Sequence, residues 1–257
     1  MVSAQGLTSN TGPDVLEQVG IDQKLDEQVP LHLMFRDESG QEVELAEYFG
    51  QRPVVLSLVY YECPMLCTMI LNGLLKCINV LEFDVGEEFE IVTVSFDPKE
   101  TPDMAAKKKE SYLAQYGRKG AEAGWHFLTG DEASIKQLTD AVGFRYVYDA
   151  ARDEYVHASG IMVLTPGGKL SRYAYGIEYS PRDLKLAVME ASDNKIGSLA
   201  DQVLLFCYHY DPTTGKYGVA IMNIIRVVGL LTILALGTFV TVSLRRDRQG
   251  KKHVETI

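Results

Sequence analysis

Residues 53–60 read Pro-Val-Val-Leu-Ser-Leu-Val-Tyr, and they run directly into Tyr61-Glu62-Cys63-Pro64-Met65-Leu66-Cys67. A strand this apolar has to be covered on both faces, because one water-facing side would show as alternation. It therefore belongs at the centre of a sheet flanked by helices. The segment after it, residues 63–81, reads as a helix. Ile70, Leu74, Cys77, Ile78 and Leu81 recur on one of its faces at helical spacing. The two cysteines thus sit where a buried strand hands over to a helix.

The remaining elements follow from the same patterns. Residues 31–35 alternate as a strand, and residues 44–49 form a short helical piece. Residues 89–96 are a second buried strand, residues 101–116 a polar helix, residues 125–128 a short strand and residues 132–142 a helix. Residues 144–148 and 159–164 read as strands, Thr165-Pro-Gly-Gly as a hairpin turn, and residues 170–175 as the returning strand. The last helix of the domain spans residues 181–190, with Pro181 in its first turn. The order is α/β. It matches a thioredoxin-like domain, parallel in its first half and antiparallel in its second.

A net charge of −10 sets limits on partners. An acidic surface repels phosphate backbones, so no nucleic-acid partner is expected. The charge is uneven, because Arg245, Arg246, Arg248, Lys251 and Lys252 cluster in the tail. Before them, residues 227–244 hold no ionisable group, and residues 219–225 extend the apolar run beyond Arg226. Eighteen helical residues span about 27 Å, close to the hydrocarbon thickness of a bilayer. The sequence therefore predicts a C-terminal transmembrane helix over residues 219–244, with the basic tail 245–257 in the cytoplasm. The globular part then lies in a periplasm, held to the inner membrane by a single pass. That topology requires an export signal. Residues 1–10 contain no apolar core for one, so a signal trimmed away or encoded upstream is expected. Residues 1–30 read as a loosely packed polar leader, 31–192 as the domain, and 193–218 as a juxtamembrane linker.

Four cysteines, Cys63, Cys67, Cys77 and Cys207, are too few for a disulfide scaffold. Cys63 and Cys67 stand four apart, on one helix face, with Cβ atoms about 5–6 Å from each other. The helix N-terminus favours their thiolates. Such a pair can converge on one metal ion or close a strained, labile disulfide. Soft thiolates select Cu(I), and an added imidazole also suits Cu(II), whereas structural zinc usually takes four protein ligands. His157 is the third-ligand candidate, in the loop before the strand at 159–164. Taken alone, a single histidine is more often an ordinary surface or core residue. His32, His126 and His253 fit worse. Met65 brings a thioether that either packs or assists Cu(I), packing being favoured. Cys77 falls on the buried helix face. Cys207-Tyr-His209 reads as an interfacial aromatic stretch before the membrane, with a second copper contact or a docking role as the alternative.

The strand ending in Tyr60, the Cys63-Pro-x-x-Cys67 motif, Ser95-Phe-Asp97-Pro98 and His157 together resemble the SCO/SenC family over residues 30–192. Its members are thioredoxin-like copper chaperones for cytochrome c oxidase assembly. The resemblance implies copper held by Cys63, Cys67 and His157, and a role for Asp97 near the site. The expected partners are the copper-site subunit of cytochrome c oxidase and another periplasmic copper chaperone or thiol reductant. The chain departs from the pattern at Met65 and Thr68, where many members have Asp and Pro. It also departs in a C-terminal anchor where many have an N-terminal one. Two enzymatic alternatives stand beside delivery. One is a thiol–disulfide oxidoreductase with Cys63 attacking and Cys67 resolving. The other is a peroxidase using one low-pKa cysteine.

Overall fold

Strand β4 (Val54–Val59) is buried at all six positions, as is β5 (Glu90–Ser95), which lies parallel to it. They form the centre of a five-stranded sheet. On one side β5 is joined by parallel β6 (Trp125–Leu128). On the other, β4 pairs antiparallel with β9 (Gly160–Leu164), and β9 with β10 (Leu170–Tyr175). The order across the sheet is β10-β9-β4-β5-β6. This is the expected mixed α/β, thioredoxin-like arrangement, and the turn at Thr165–Gly168 closes the β9–β10 hairpin as predicted. The computed structural model describes residues 18–63 and 65–196, the pairs Tyr210–Asp211 and Lys216–Tyr217, and six positions between 229 and 238.

Among the described residues, four helices accompany the sheet: α1 (Leu66–Asn79), α2 (Pro102–Tyr116), α3 (Glu132–Ala141) and α4 (Pro181–Ser192). Helix α1 presents Cys67, Ile70, Leu71, Leu74, Cys77 and Ile78 to the core and touches both α2 and α4. Gly73 lets it approach the chain beyond β10. A Cβ there would stand 1.8 Å from the carbonyl oxygen of Ile177.

Two features depart from the sequence reading. Residues 154–157 form strand β8 (Glu154–His157), where a loop was expected. It pairs antiparallel with β7 (Phe144–Asp149), and His157 stands opposite Tyr146. Four residues are too short a run to show a clear alternation, and Asp153 turns the chain with φ +55° just before it. The second departure is in the leader, which is tied down from Gly20 onward. Strand β1 (Gly20–Ile21) pairs with β7 to complete a three-stranded sheet, Arg145 binds Asp22, and Val29 is buried. Strands β2 (Met34–Arg36) and β3 (Glu42–Glu44) make a separate hairpin.

The chain divides into two compact units, residues 1–198 and 199–257. In the second, Tyr210–Asp211 and Lys216–Tyr217 pair as a short hairpin. Among the described residues no helix is long and apolar enough to cross a membrane. The expected transmembrane helix lies almost wholly outside them, so it gains no support here. Only Gly229, Thr232, Leu234, Leu236, Gly237 and Thr238 are described there, as helical. Cys207, His209 and the basic tail also fall outside the described residues.

The Gly73 contact predicts that Gly73→Ala lowers stability by about 1–3 kcal/mol, as overpacking against backbone does. Urea unfolding of the variant measures it, and an unchanged midpoint would mean that the helix can withdraw from Ile177 without loss.

Candidate metal centre

The C-terminal end of β4 delivers the chain to three converging side chains. Cys63 sits in the turn after the strand, Cys67 in the first turn of α1, and His157 at the end of β8. Their ligand atoms all lie within 4.8 Å of one another. Cys67 Sγ is 3.3 Å from His157 Nε2. The amide of Cys67 donates to Cys63 Sγ at 3.3 Å, and the amide of Tyr60 donates to Cys67 Sγ at 3.3 Å. Helix α1 begins at Leu66, so Cys63 precedes the helix and does not share its face. It meets Cys67 through the turn, using an amide that has no partner inside the helix.

The tautomer of His157 follows from its surroundings. Nδ1 lies 2.8 Å from the carbonyl oxygen of Ala158. A carbonyl only accepts, so Nδ1 carries a proton, and Nε2 is the ring atom that faces the sulfurs. A metal-binding imidazole needs this second-atom anchoring. The rings of Phe96, Phe144 and Tyr60 surround the imidazole at centroid distances of 5.1, 6.0 and 6.1 Å. Cys63, Cys67 and His157 are 8%, 1% and 7% exposed.

The two thiols differ sharply. The Cys63 thiol is pulled down to about 3. The hydrogen bond from Cys67 is the main cause. Burial opposes it, while His157 and the amides of Cys67 and Met65 reinforce it. Cys67 is pushed up, by burial first and then by its bond to Cys63. The pair therefore holds one proton and one negative charge. Two sulfurs and one imidazole form a soft donor set suited to Cu(I), and binding an ion releases the remaining thiol proton.

The other candidates are placed differently. Asp97 is not among the converging ligand atoms. Its carboxylate accepts from the amide of Lys99 and, at 3.4 Å, from the hydroxyl of Tyr155. Met65 does not pack, as was favoured, because it is 67% exposed. Cys77 is buried as expected, and burial lifts its thiol to about 11.

The sequence reading missed Glu100. This buried carboxylate accepts from the amides of Tyr61 and Glu62, each at 2.7 Å, and from the Ser95 hydroxyl at 2.5 Å. Tyr61 is fixed again by its own hydroxyl, which donates to the Leu128 carbonyl at 2.7 Å. The two residues before Cys63 are thus clamped. In the polar run Asp97-Pro-Lys-Glu100 nothing marks one acid as buried.

Known structures share this architecture. A candidate electron transfer protein from Aquifex aeolicus VF5 is 28% identical, with a TM-score of 0.58 over 66% of this chain and 95% of that one. Arabidopsis thaliana ScoI with copper bound is 16% identical, with a TM-score of 0.51 over 63% and 96% of the two chains. Yeast Sco1 is also 16% identical, with a TM-score of 0.50 over 66% and 99%. No curated protein matches the chain. The SCO1/SenC family profile matches residues 22–192, which includes all three converging side chains, and the chain belongs to that family.

Two outcomes follow. Alkylation of Cys63 by iodoacetamide should stay nearly constant from pH 8 to about pH 5, where an ordinary thiol loses about tenfold per pH unit. A rate falling with that ordinary slope would show that Cys63 is not held as a thiolate. Glu100→Ala should cost about 2–3 kcal/mol in urea unfolding, because the buried Tyr61 amide and the part-buried Glu62 amide lose their acceptor. Retention of full stability would remove the clamp from this account.

Proposed function

We propose that this chain is a copper metallochaperone serving cytochrome c oxidase assembly, with Cu(I) or Cu(II) as its cargo, held by Cys63, Cys67 and His157. The observation that carries this reading is the convergence of two sulfurs and one imidazole, brought from a turn, a helix start and an edge strand to one buried point. Membership of the SCO1/SenC family supports it, and copper is present in the Arabidopsis ScoI structure of the same fold.

The residues divide the work. Glu100 and the Tyr60 and Cys67 amides position the sulfurs, the Ala158 carbonyl orients His157, and the aromatic rings limit water. A donor set of three leaves room for a ligand from the partner, so delivery proceeds by ligand exchange without a change in the fold. The partners in this reading are the copper-site subunit of the oxidase and a periplasmic copper donor or thiol reductant. The apolar run 219–244 and the basic residues after it support a tether in the inner membrane, with the globular domain periplasmic.

The lowered pKa of Cys63 favours a second reading, thiol–disulfide exchange on oxidase subunits or cytochromes, with Cys63 attacking and Cys67 resolving. His157 separates the two, because exchange does not need an imidazole ligand. Metal analysis with spectroscopy should find about one copper per chain, lost in Cys63→Ser, Cys67→Ser and His157→Ala alike. If His157→Ala keeps full copper affinity while any cysteine change abolishes exchange, the oxidoreductase reading replaces delivery.

A further inference from the structure

The three inner ligands are at most 8% exposed, so an ion in water has little direct access to them. Just outside them stand two other soft donors. Met65, which caps helix α1, and Met69, in its first turn, are 67% and 40% exposed, while Ile70, Leu71, Leu74, Leu75 and Ile78 of that helix are buried. The amide of Met69 donates to the carbonyl of Met65 at 3.0 Å, so the two are one helical turn apart. Residues so spaced have Cβ atoms about 5–6 Å apart, within the reach of two unbranched thioether side chains. Met65 also adjoins the inner site directly, since it stands between Cys63 and Cys67 in the turn that leads into the helix. Thioethers are neutral at every pH and bind soft cations more weakly than thiolates, which suits a ligand that must release its ion.

We propose that Met65 and Met69 form an outer, weak site for soft monovalent cations, which receives Cu(I) and passes it to Cys63, Cys67 and His157. The inference rests on the copper reading above and adds the route into the site. The ion stays monovalent throughout. Sulfur–metal bonds to the thioethers break as bonds to the thiolates form, and the proton held by the cysteine pair leaves to water.

Two measurements on the full chain test it. In the first, Cys63→Ser/Cys67→Ser/His157→Ala protein carrying 13C-methyl methionine is titrated with Ag(I), a redox-inert soft ion. Met65 and Met69 resonances should shift together, while Met34 and Met189 stay in place. Those two are 46% and 51% exposed and serve as controls for exposure alone. In the second, the chain with only Met65→Leu/Met69→Leu changed should take Cu(I) from a chelate about tenfold more slowly, with final affinity within about twofold of wild type. All four methionines responding alike, or uptake at the wild-type rate, would overturn the proposal. Loss of inner-site copper binding in the wild type would instead defeat the metallochaperone reading. The silver titration does not depend on that result, because its variant lacks the inner site.

Discussion

A buried carboxylate is costly unless its lone pairs are filled, and Glu100 fills them with groups that decide the geometry of the site. It accepts from two successive amides just after the central strand and from Ser95 at the end of the neighbouring one. The loop that leads to Cys63 is therefore fixed to both central strands at once. Burial raises the Glu100 pKa, and the hydrogen bonds from Ser95, Tyr61 and Glu62 oppose the rise. Removing the acid would strand the Tyr61 amide in the core and take the acceptor from the part-buried Glu62 amide, a larger loss than the bonds themselves contribute.

From that fixed point the site assembles with little freedom left. Tyr60, Cys67 and Ala158 each contribute a main-chain group, and those three groups set the position of both sulfurs and the tautomer of the ring. The side chains supply the donor atoms, while the backbone supplies their orientation. Such an arrangement tolerates changes in the surrounding apolar residues better than shifts of the chain trace.

Much of this was legible in the sequence, for physical reasons that differ by element. The runs at 53–60 and 89–96 are buried on both faces, so their burial shows in composition alone, and both are central strands. The cysteines could be placed because a strand-to-helix junction is a local pattern. His157 was singled out correctly as a neighbour of the sulfurs, although its strand was not foreseen. A four-residue edge strand depends on its partner, and no local signal carries that pairing. Glu100 and the tethering of Gly20–Ile21 were missed for the same reason, since each is defined by a contact distant in sequence. Met65 was misjudged because a methionine's identity does not reveal its exposure.

The two sulfurs and the imidazole belong to differently supported parts of the molecule. The cysteines hang from the middle of the five-stranded sheet, whereas His157 ends β8, which among the described residues is an edge strand paired with β7. A bound ion would act as a rivet between the two sheets, so occupancy would raise resistance to unfolding in proportion to how tightly the folded form alone holds it. The same asymmetry sets the order of dismantling. Losing the imidazole disturbs one short ribbon at the margin, while losing either thiolate means disturbing the centre of the fold.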